Sequence, residues 1–349
     1  MVILGIDAHK RTHTVVAVDE VGRELGTKTT TATTTKDHLE LLRWAERFGP
    51  ERRWAVEDCR HLSRRLEADL LAAGEAIVRV PPKMMAGARD SARTYGKSDP
   101  IDALAVARAA LREPKLPLAR LDGPSREVRV LVDHREDLVR DRTAHINRLR
   151  WHLHDLDPSW DPAPRSLVRF KQLDATAARL GGLEGMVARI AIDLVGMIRE
   201  LTVQANSLER EIIGRTRLLS PGLLALAGIG GLTAAKILGE TADVRRFRSK
   251  DAFARHNGTA PLPVWSGNSR RHRLSRTGNR QLNAAIHRMA VTQIRIHEGA
   301  RSYLERRMAM GNTKTEALRA LKRKLSDVVF RALLADAVAA HAGGFGQAA

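Results

Sequence analysis

Residues 2–19, VILGIDAHKRTHTVVAVD, decide the fold. Val2, Ile3, Leu4 and Ile6 form an apolar run that ends at Asp7, and Thr14 to Val18 form a second, β-branched run. With His9-Lys10-Arg11 between them the two read as paired strands, closed by the turn signal Asp19-Glu20-Val21-Gly22. Working outward, residues 23–35 supply a third, Thr-rich strand. Residues 37–48 have helical spacing at Leu39, Leu42 and Ala45, with Asp37 as the cap. Trp54 to Glu57 is a short strand, 62–73 a helix ending at Gly74, and 76–80 a strand stopped by Pro81-Pro82. Strands that begin as a hairpin cluster and then alternate with helices indicate an α/β sheet of mixed direction over residues 1–112.

Acids at strand ends carry the chemistry. Asp7 ends the first strand and Glu57 the fourth. The stretch KSDPIDALAVARA, 97–109, opens a helix running to Leu111. Pro100 suits the first helical position, so Asp99 reads as the N-cap, and Asp102 lies three residues on over the same face. Taken alone this is an ordinary capped helix start. Joined with Asp7 and Glu57 it makes a four-carboxylate cluster, and like charges share a site only when cations neutralise them. Oxygen ligands select a hard ion such as Mg²⁺, and a pair of such ions suits phosphoryl transfer.

The chain has 349 residues and a formal net charge of +19, enough for two or three domains and a field that draws polyanions. Nucleic acid is the expected partner. No apolar run approaches the roughly 20 residues of a spanning helix, and MVILGIDAHK lacks the basic start of a signal peptide. A single cysteine, Cys59, fits a reducing cytoplasm. Aromatic residues are only 4%, too few for an evident base-stacking platform.

The order Asp7, Glu57, Asp99, Asp102, the opening GIDAHKRTHTVVAVD and the motif KSDPIDALAVARA together resemble the ribonuclease H-like, Holliday-resolvase-type domain of DEDD transposases of bacterial insertion sequences. The resemblance puts these four residues at the family's acidic positions, and Ser98 stands where many relatives have Thr.

Pro114, Pro117 and Asp122-Gly123-Pro124 punctuate the exit from this domain. Residues 113–220 read as a helical arm. One helix spans 125–157 with Ile146, Leu149, Leu153 and Leu156 on a stripe, and a second spans 183–219 through Leu194, Met197, Leu201, Ala205 and Ile212. Such stripes mean antiparallel pairing or a coiled coil. His134, His145, His152 and His154 lack partners at metal-ligand spacing and read as solvated or facing nucleic acid.

Residues 221–349 read as a third, mainly helical domain. In LLALAGIGGLTAAKILGE, 223–240, Gly228 and Gly230 lie in a turn between helices, and backbone N–H groups at a helix N-terminus are a phosphate seat. The segment resembles a helix-hairpin-helix element; a plain interhelical turn is the other reading. Helices are expected over 281–296 and 313–340, the last with Arg319, Lys322, Arg323 and Lys324 exposed, and the tail after His341 as frayed. Between Asp251 and Glu298 there is no carboxylate, while Arg255, Arg270, Arg271, Arg273, Arg276, Arg280, Arg288 and Arg295 all fall there. Arg in preference to Lys suits bidentate oxyanion contacts. Inside this run Ser266 precedes Gly267 and Asn268, either as a hydroxyl exposed by a turn or as part of a hairpin beside a nucleic-acid-binding patch.

The NGTAP at 257–261, the Ser-Gly and the GNR at 278–280 resemble the C-terminal domain of the same transposases. That resemblance implies that Ser266 is the nucleophile, and that DNA strands are cut and exchanged with Mg²⁺ held by Asp7, Glu57, Asp99 and Asp102. It further implies dimers assembling into tetramers and a structured guide RNA. A metal-dependent nuclease that activates water, and a DNA-binding protein without catalysis, are the rival readings.

Overall fold

The computed structural model describes residues 1–57, 60–81, 84–85, 98–114, 116, 118–120, 123–266, 269–273 and 278–342; side chains at 60–61, 266 and 269–271 lie outside this description. The chain divides into two compact units. One comprises Met1–Leu121 with Arg246–Arg248, the other Asp122–Arg245 with Ser249–Ala349.

In the first unit, strands β1 (Val2–Ala8), β2 (His13–Val18), β3 (Glu24–Thr29), β4 (Arg52–Glu57) and β5 (Ile77–Val80) form one sheet in the order β3-β2-β1-β4-β5. The first three pair antiparallel, and β4 and β5 join parallel to β1. This is the mixed-direction α/β sheet expected for residues 1–112. The sheet alternates between two faces. Leu4, Ile6, Val15, Ala17, Trp54 and Val56 pack with Leu41 and Ala45 of α1 (Thr35–Glu46) and Leu66 and Leu70 of α2 (Arg60–Ala72). Ile3, Val16, Val18, Ala55 and Val78 meet the alanines of α3 (Asp99–Arg112) on the other face.

Two caps differ from the sequence reading. Helix α1 begins earlier, with Thr34 as N-cap, and Asp37 is its capping-box partner: the Asp37 N–H donates to Thr34 Oγ1 and the Thr34 N–H donates to Asp37. In α3 the N-cap is Ser98, whose side chain makes no capping bond. Asp99 is therefore the first helical residue and Pro100 the second, and the Asp99 carboxylate is not spent on capping.

In the second unit, α4 (Gly123–Leu156) and α6 (Met186–Leu219) pair along a stripe where Leu149 and Leu153 meet Leu194, Val195 and Ile198. Between them α5 (Phe170–Leu180), left unassigned by periodicity, buries Leu173 and Leu180 in the same cluster. A short helix, α7 (Pro221–Leu224), and α8 (Gly231–Thr241) flank the glycine turn. The buried Lys236 of α8 bonds Asp133 at 3.0 Å and Glu136 at 2.9 Å on α4. Helix α9 (Lys250–His256), strands β6 (Leu262–Ser266) and β7 (Ser269–Arg273), and helices α10 (Arg280–Ile296), α11 (Glu298–Ala309) and α12 (Lys314–Ala342) complete the unit. Helix α11 is a further element that the sequence reading lacks: only Ala300 and Leu304 are buried along it, too few to print a stripe. Lys322, expected exposed on α12, is 7% exposed, and Arg323 is half-buried. Among the described residues no helix is long and apolar enough to cross a membrane.

Candidate active site

Three of the four acids are gathered by one close approach. A side chain at Gly5 would stand 2.2 Å from the Ala103 carbonyl oxygen and 2.7 Å from Ala107 Cβ, so α3 lies directly on β1 only because Gly5 has no Cβ and the helix is rich in alanine. That contact lays the first turn of α3 beside the C-terminal end of β1. Asp7 points to the α3 face, two residues beyond Gly5. Glu57 follows the Ile6–Val56 pair on the neighbouring parallel strand, so it ends β4 level with Asp7 and on the same face. Asp99 is exposed at the helix start, and Asp102 is buried one turn-step later.

His9 completes this cluster. Its Nε2 lies 2.9 Å from Asp7 Oδ2 and 3.4 Å from Asp99 Oδ1. Asp7, His9 and Asp99 offer ligand atoms that all fall within 4.8 Å of one another, an arrangement able to hold a metal ion. Burial raises the Asp7 carboxyl above its ordinary range; the charges of Asp102 and Asp99 push the same way, and His9 pulls it back. A carboxyl raised by burial, with two further carboxylates adding to the shift, is a site short of positive charge. A divalent cation held by oxygen ligands would supply that charge. Sequence reasoning treated His9 only as part of the connection between strands. The signal was its position two residues after Asp7, just past the strand end.

Ser266 is in the second unit, the last residue of β6, where it pairs with Ser269 at the far end of the β6–β7 ladder. The base of this hairpin is pinned. Buried Asn257 donates to Ser326 Oγ at 2.8 Å and accepts from the Thr259 backbone N–H at 3.0 Å. A Cβ at Gly278 would stand 2.3 Å from Gly258 N, and the Asn279 N–H donates to His256 O at 2.6 Å. Asn279 then caps α10 and donates to buried Glu240 at 2.6 Å. The NGTAP and GNR stretches are thus the clasp beneath the hairpin, and Trp265 beside Ser266 is exposed.

Arg255, Arg273 and Arg280 are exposed. The side chains of Arg270 and Arg271 lie outside the described residues, as do Arg276, Gly267, Asn268, Ser275, Lys97, Cys59, Pro117, Asp122 and the tail 343–349. Gly228 has the expected positive φ, +76°, and a side chain there would meet Gln293 Cγ at 2.7 Å; its lack of Cβ serves packing on α10. Gly230, exposed, caps α8, and no atom lies within 4 Å of where its Cβ would stand.

Residues 4–158 match the family model described as a transposase, of the DEDD and IS110 type, and residues 221–305 match that of the IS116/IS110/IS902 transposase family. The chain is 28% identical to the 44.8 kDa protein of insertion element IS116 from Streptomyces clavuligerus, across 95% of this chain and 94% of that one. It is 26% identical to the 42 kDa protein of insertion element IS900 from Mycobacterium paratuberculosis, across 97% and 96%. Among solved structures it is similar to Thermus thermophilus RuvC in complex with a Holliday junction substrate. That match has 18% identity and a TM-score of 0.28, and covers 34% of this chain and 99% of RuvC.

Proposed function

We propose, on the premise that this chain belongs to the IS116/IS110/IS902 family of insertion-sequence transposases, that it cuts and rejoins DNA strands through the four acids of its first unit and Ser266 of its second. The observation that carries the reading is the gathering of Asp7, Asp99 and Asp102 at the end of β1, with Asp7 raised by burial and by the other two. Such a cluster is costly to hold for structure alone.

Asp7, Asp99, Asp102 and Glu57 would hold Mg²⁺, with His9 at the edge of the set. When bound, the ion supplies positive charge to the non-bridging oxygens of a DNA phosphate. Ser266 Oγ attacks the phosphorus: an Oγ–P bond forms, the bond to one sugar oxygen breaks, and that oxygen takes up a proton as a hydroxyl. The serine proton passes to a carboxylate or to water. Arg270, Arg271 and Arg273 neutralise the charge that develops. The phosphoserine link keeps the bond energy, and a hydroxyl of the incoming strand reverses the step. Exchange of two strands needs more than one copy of the chain, a dimer that assembles into a tetramer. The choice of donor and target falls to a structured guide RNA, which the net charge of +19 favours binding.

The test is recombination and trapping of covalent protein–DNA with Ser266→Ala and Asp7→Asn. Both variants are expected to lose recombination, and Ser266→Ala to lose the adduct. An adduct that survives Ser266→Ala ends the serine mechanism. Hydrolysed ends without any adduct point to a nuclease that uses water. DNA binding that survives loss of the acids, with no cleavage by the intact protein, points to a binding protein.

A further inference from the structure

The second unit contains a half-open cavity of about 570 Å³, between the hairpin strand β7 and the helices α11 and α12. Its volume falls within the roughly 300–1,000 Å³ of pockets that enclose small organic ligands. It has room for one nucleotide. Its wall combines three chemistries. Tyr303 supplies an aromatic ring, with Lys324 Nζ 5.1 Å and Arg306 Cζ 5.9 Å from its centroid. Arg307 Nε and Asn312 Oδ1, a donor and an acceptor, are buried there without hydrogen-bond partners. Arg273, Arg319 and Lys322 supply positive charge.

Glu316 is the single acid among the lining residues, and it already accepts the Thr313 backbone N–H and hydroxyl, both at 2.9 Å, at the start of α12. The ammonium of buried Lys322 donates to Asn283 Oδ1 at 2.6 Å; burial and neighbouring Arg319 push its pKa down. An anion in the cavity would relieve both effects. Arg323, by contrast, is taken by Asp251 and Asp327.

A plain polyanion surface needs only the cations. An aromatic ring, an amide and a guanidinium side chain, and further cations in one cavity wall match the base, the base edge and the phosphate of a nucleotide. We propose that this cavity takes one unstacked nucleotide of a single strand, its base against Tyr303, its edge read by Asn312 and Arg307, and its phosphate facing Arg273, Arg319 and Lys322. Single-strand recognition works by splaying bases out of the stack onto such side chains, and the low aromatic content of the chain makes one local site more informative than a platform. This rests on the reading of the protein as one that handles nucleic acid. Its readout is binding rather than strand exchange, so its failure is separable from failure of the phosphoryl-transfer reading.

The experiment measures fluorescence anisotropy of the full-length protein with a labelled single-stranded oligonucleotide, as DNA and as RNA, and with a blunt duplex of the same sequence. Stacking of one base on an aromatic side chain accounts for roughly tenfold or more in affinity. Tyr303→Ala and Asn312→Ala are each expected to weaken single-strand binding by about that factor with duplex binding unchanged, while Tyr303→Phe binds like the parent. The DNA and RNA arms identify which strand supplies the nucleotide, and a loss in either supports the site. A 5-iodouracil-substituted single strand is expected to photo-crosslink to Tyr303. Equal losses on single strand and duplex, no loss on either, no crosslink at Tyr303, or AMP alone binding as tightly as the oligonucleotide would each overturn the proposal.

Discussion

Asp7 rides on a central strand of a five-stranded sheet, with a helix pressed onto that strand at Gly5, whereas Ser266 ends one arm of a two-stranded hairpin clasped at its base. The acids are therefore continuous with a hydrophobic core. Buried Ile3 and Ala55 lie two residues ahead of Gly5 and Glu57 on the same face, so the site and the fold share their supports. The serine stands at the last pair of the β6–β7 ladder, and the Asn257, Gly258 and Gly278 clasp lies at the other end of the hairpin. In such a division the acid site is precise because it is part of the core.

The sharpest way to break this contrast is to delete the reactive groups. Asp7→Asn and Ser266→Ala should each reduce strand exchange on the order of 1,000-fold, and thermal melting should show Ser266→Ala unchanged in stability. A large loss of stability in Ser266→Ala would mean that the hairpin tip is structural. The two glycine contacts come next. Gly5→Ala places a methyl group 2.2 Å from a backbone oxygen and Gly278→Ala places one 2.3 Å from a backbone nitrogen. Each should cost about 3 kcal/mol or more by denaturant unfolding, since neither obstacle is a movable side-chain end. If Gly5→Ala folds normally, the close approach of α3 is not what assembles the acids.

A pH experiment sharpens the same comparison. His13, on β2 opposite Ala8, is buried beside His38, and burial, with the charges of His38 and His9, lowers its pKa from 6.5 to about 4. The folded protein thus holds His13 neutral where the unfolded chain would protonate it. The stabilisation is present above pH 6.5 and is lost as the pH falls from 6.5 towards 4, up to about 3 kcal/mol in total. Denaturant unfolding at pH 7 and pH 4.5 should show this loss, and His13→Asn should lose that part of the slope. Smallest is the cap of α1: Thr34→Ala should cost about 1 kcal/mol, seen as a modest fall in melting temperature.

Much of the first unit was legible because strands and amphipathic helices print their period in the chain. Residues 2–6 and 14–18, the short strands near 54 and 77, and the helix after 99 all carry that signal. What failed were choices between neighbouring polar residues. Thr34 and Asp37 both suit a cap, as do Ser98 and Asp99, and only backbone geometry selects one of each pair. Helix α11 escaped because two buried residues make no stripe, and Lys322 was misplaced because a long basic side chain reads as exposed until the helices around it are known. The cavity beside Tyr303 has no linear signature at all, for its walls come from residues 258 to 324.

By itself the amino-acid order determined the mixed α/β class of the first 112 residues, the basic character of the chain and the four acids at element ends, because periodicity, charge and turn chemistry are local. Only the tertiary structure decided that His9 bridges Asp7 and Asp99, that Asp99 is free of capping, that NGTAP and GNR clasp one hairpin, and that Lys322 turns inward. Those facts depend on which backbones can approach within a few ångströms, and close packing sets that distance through absent side chains such as those of Gly5 and Gly278.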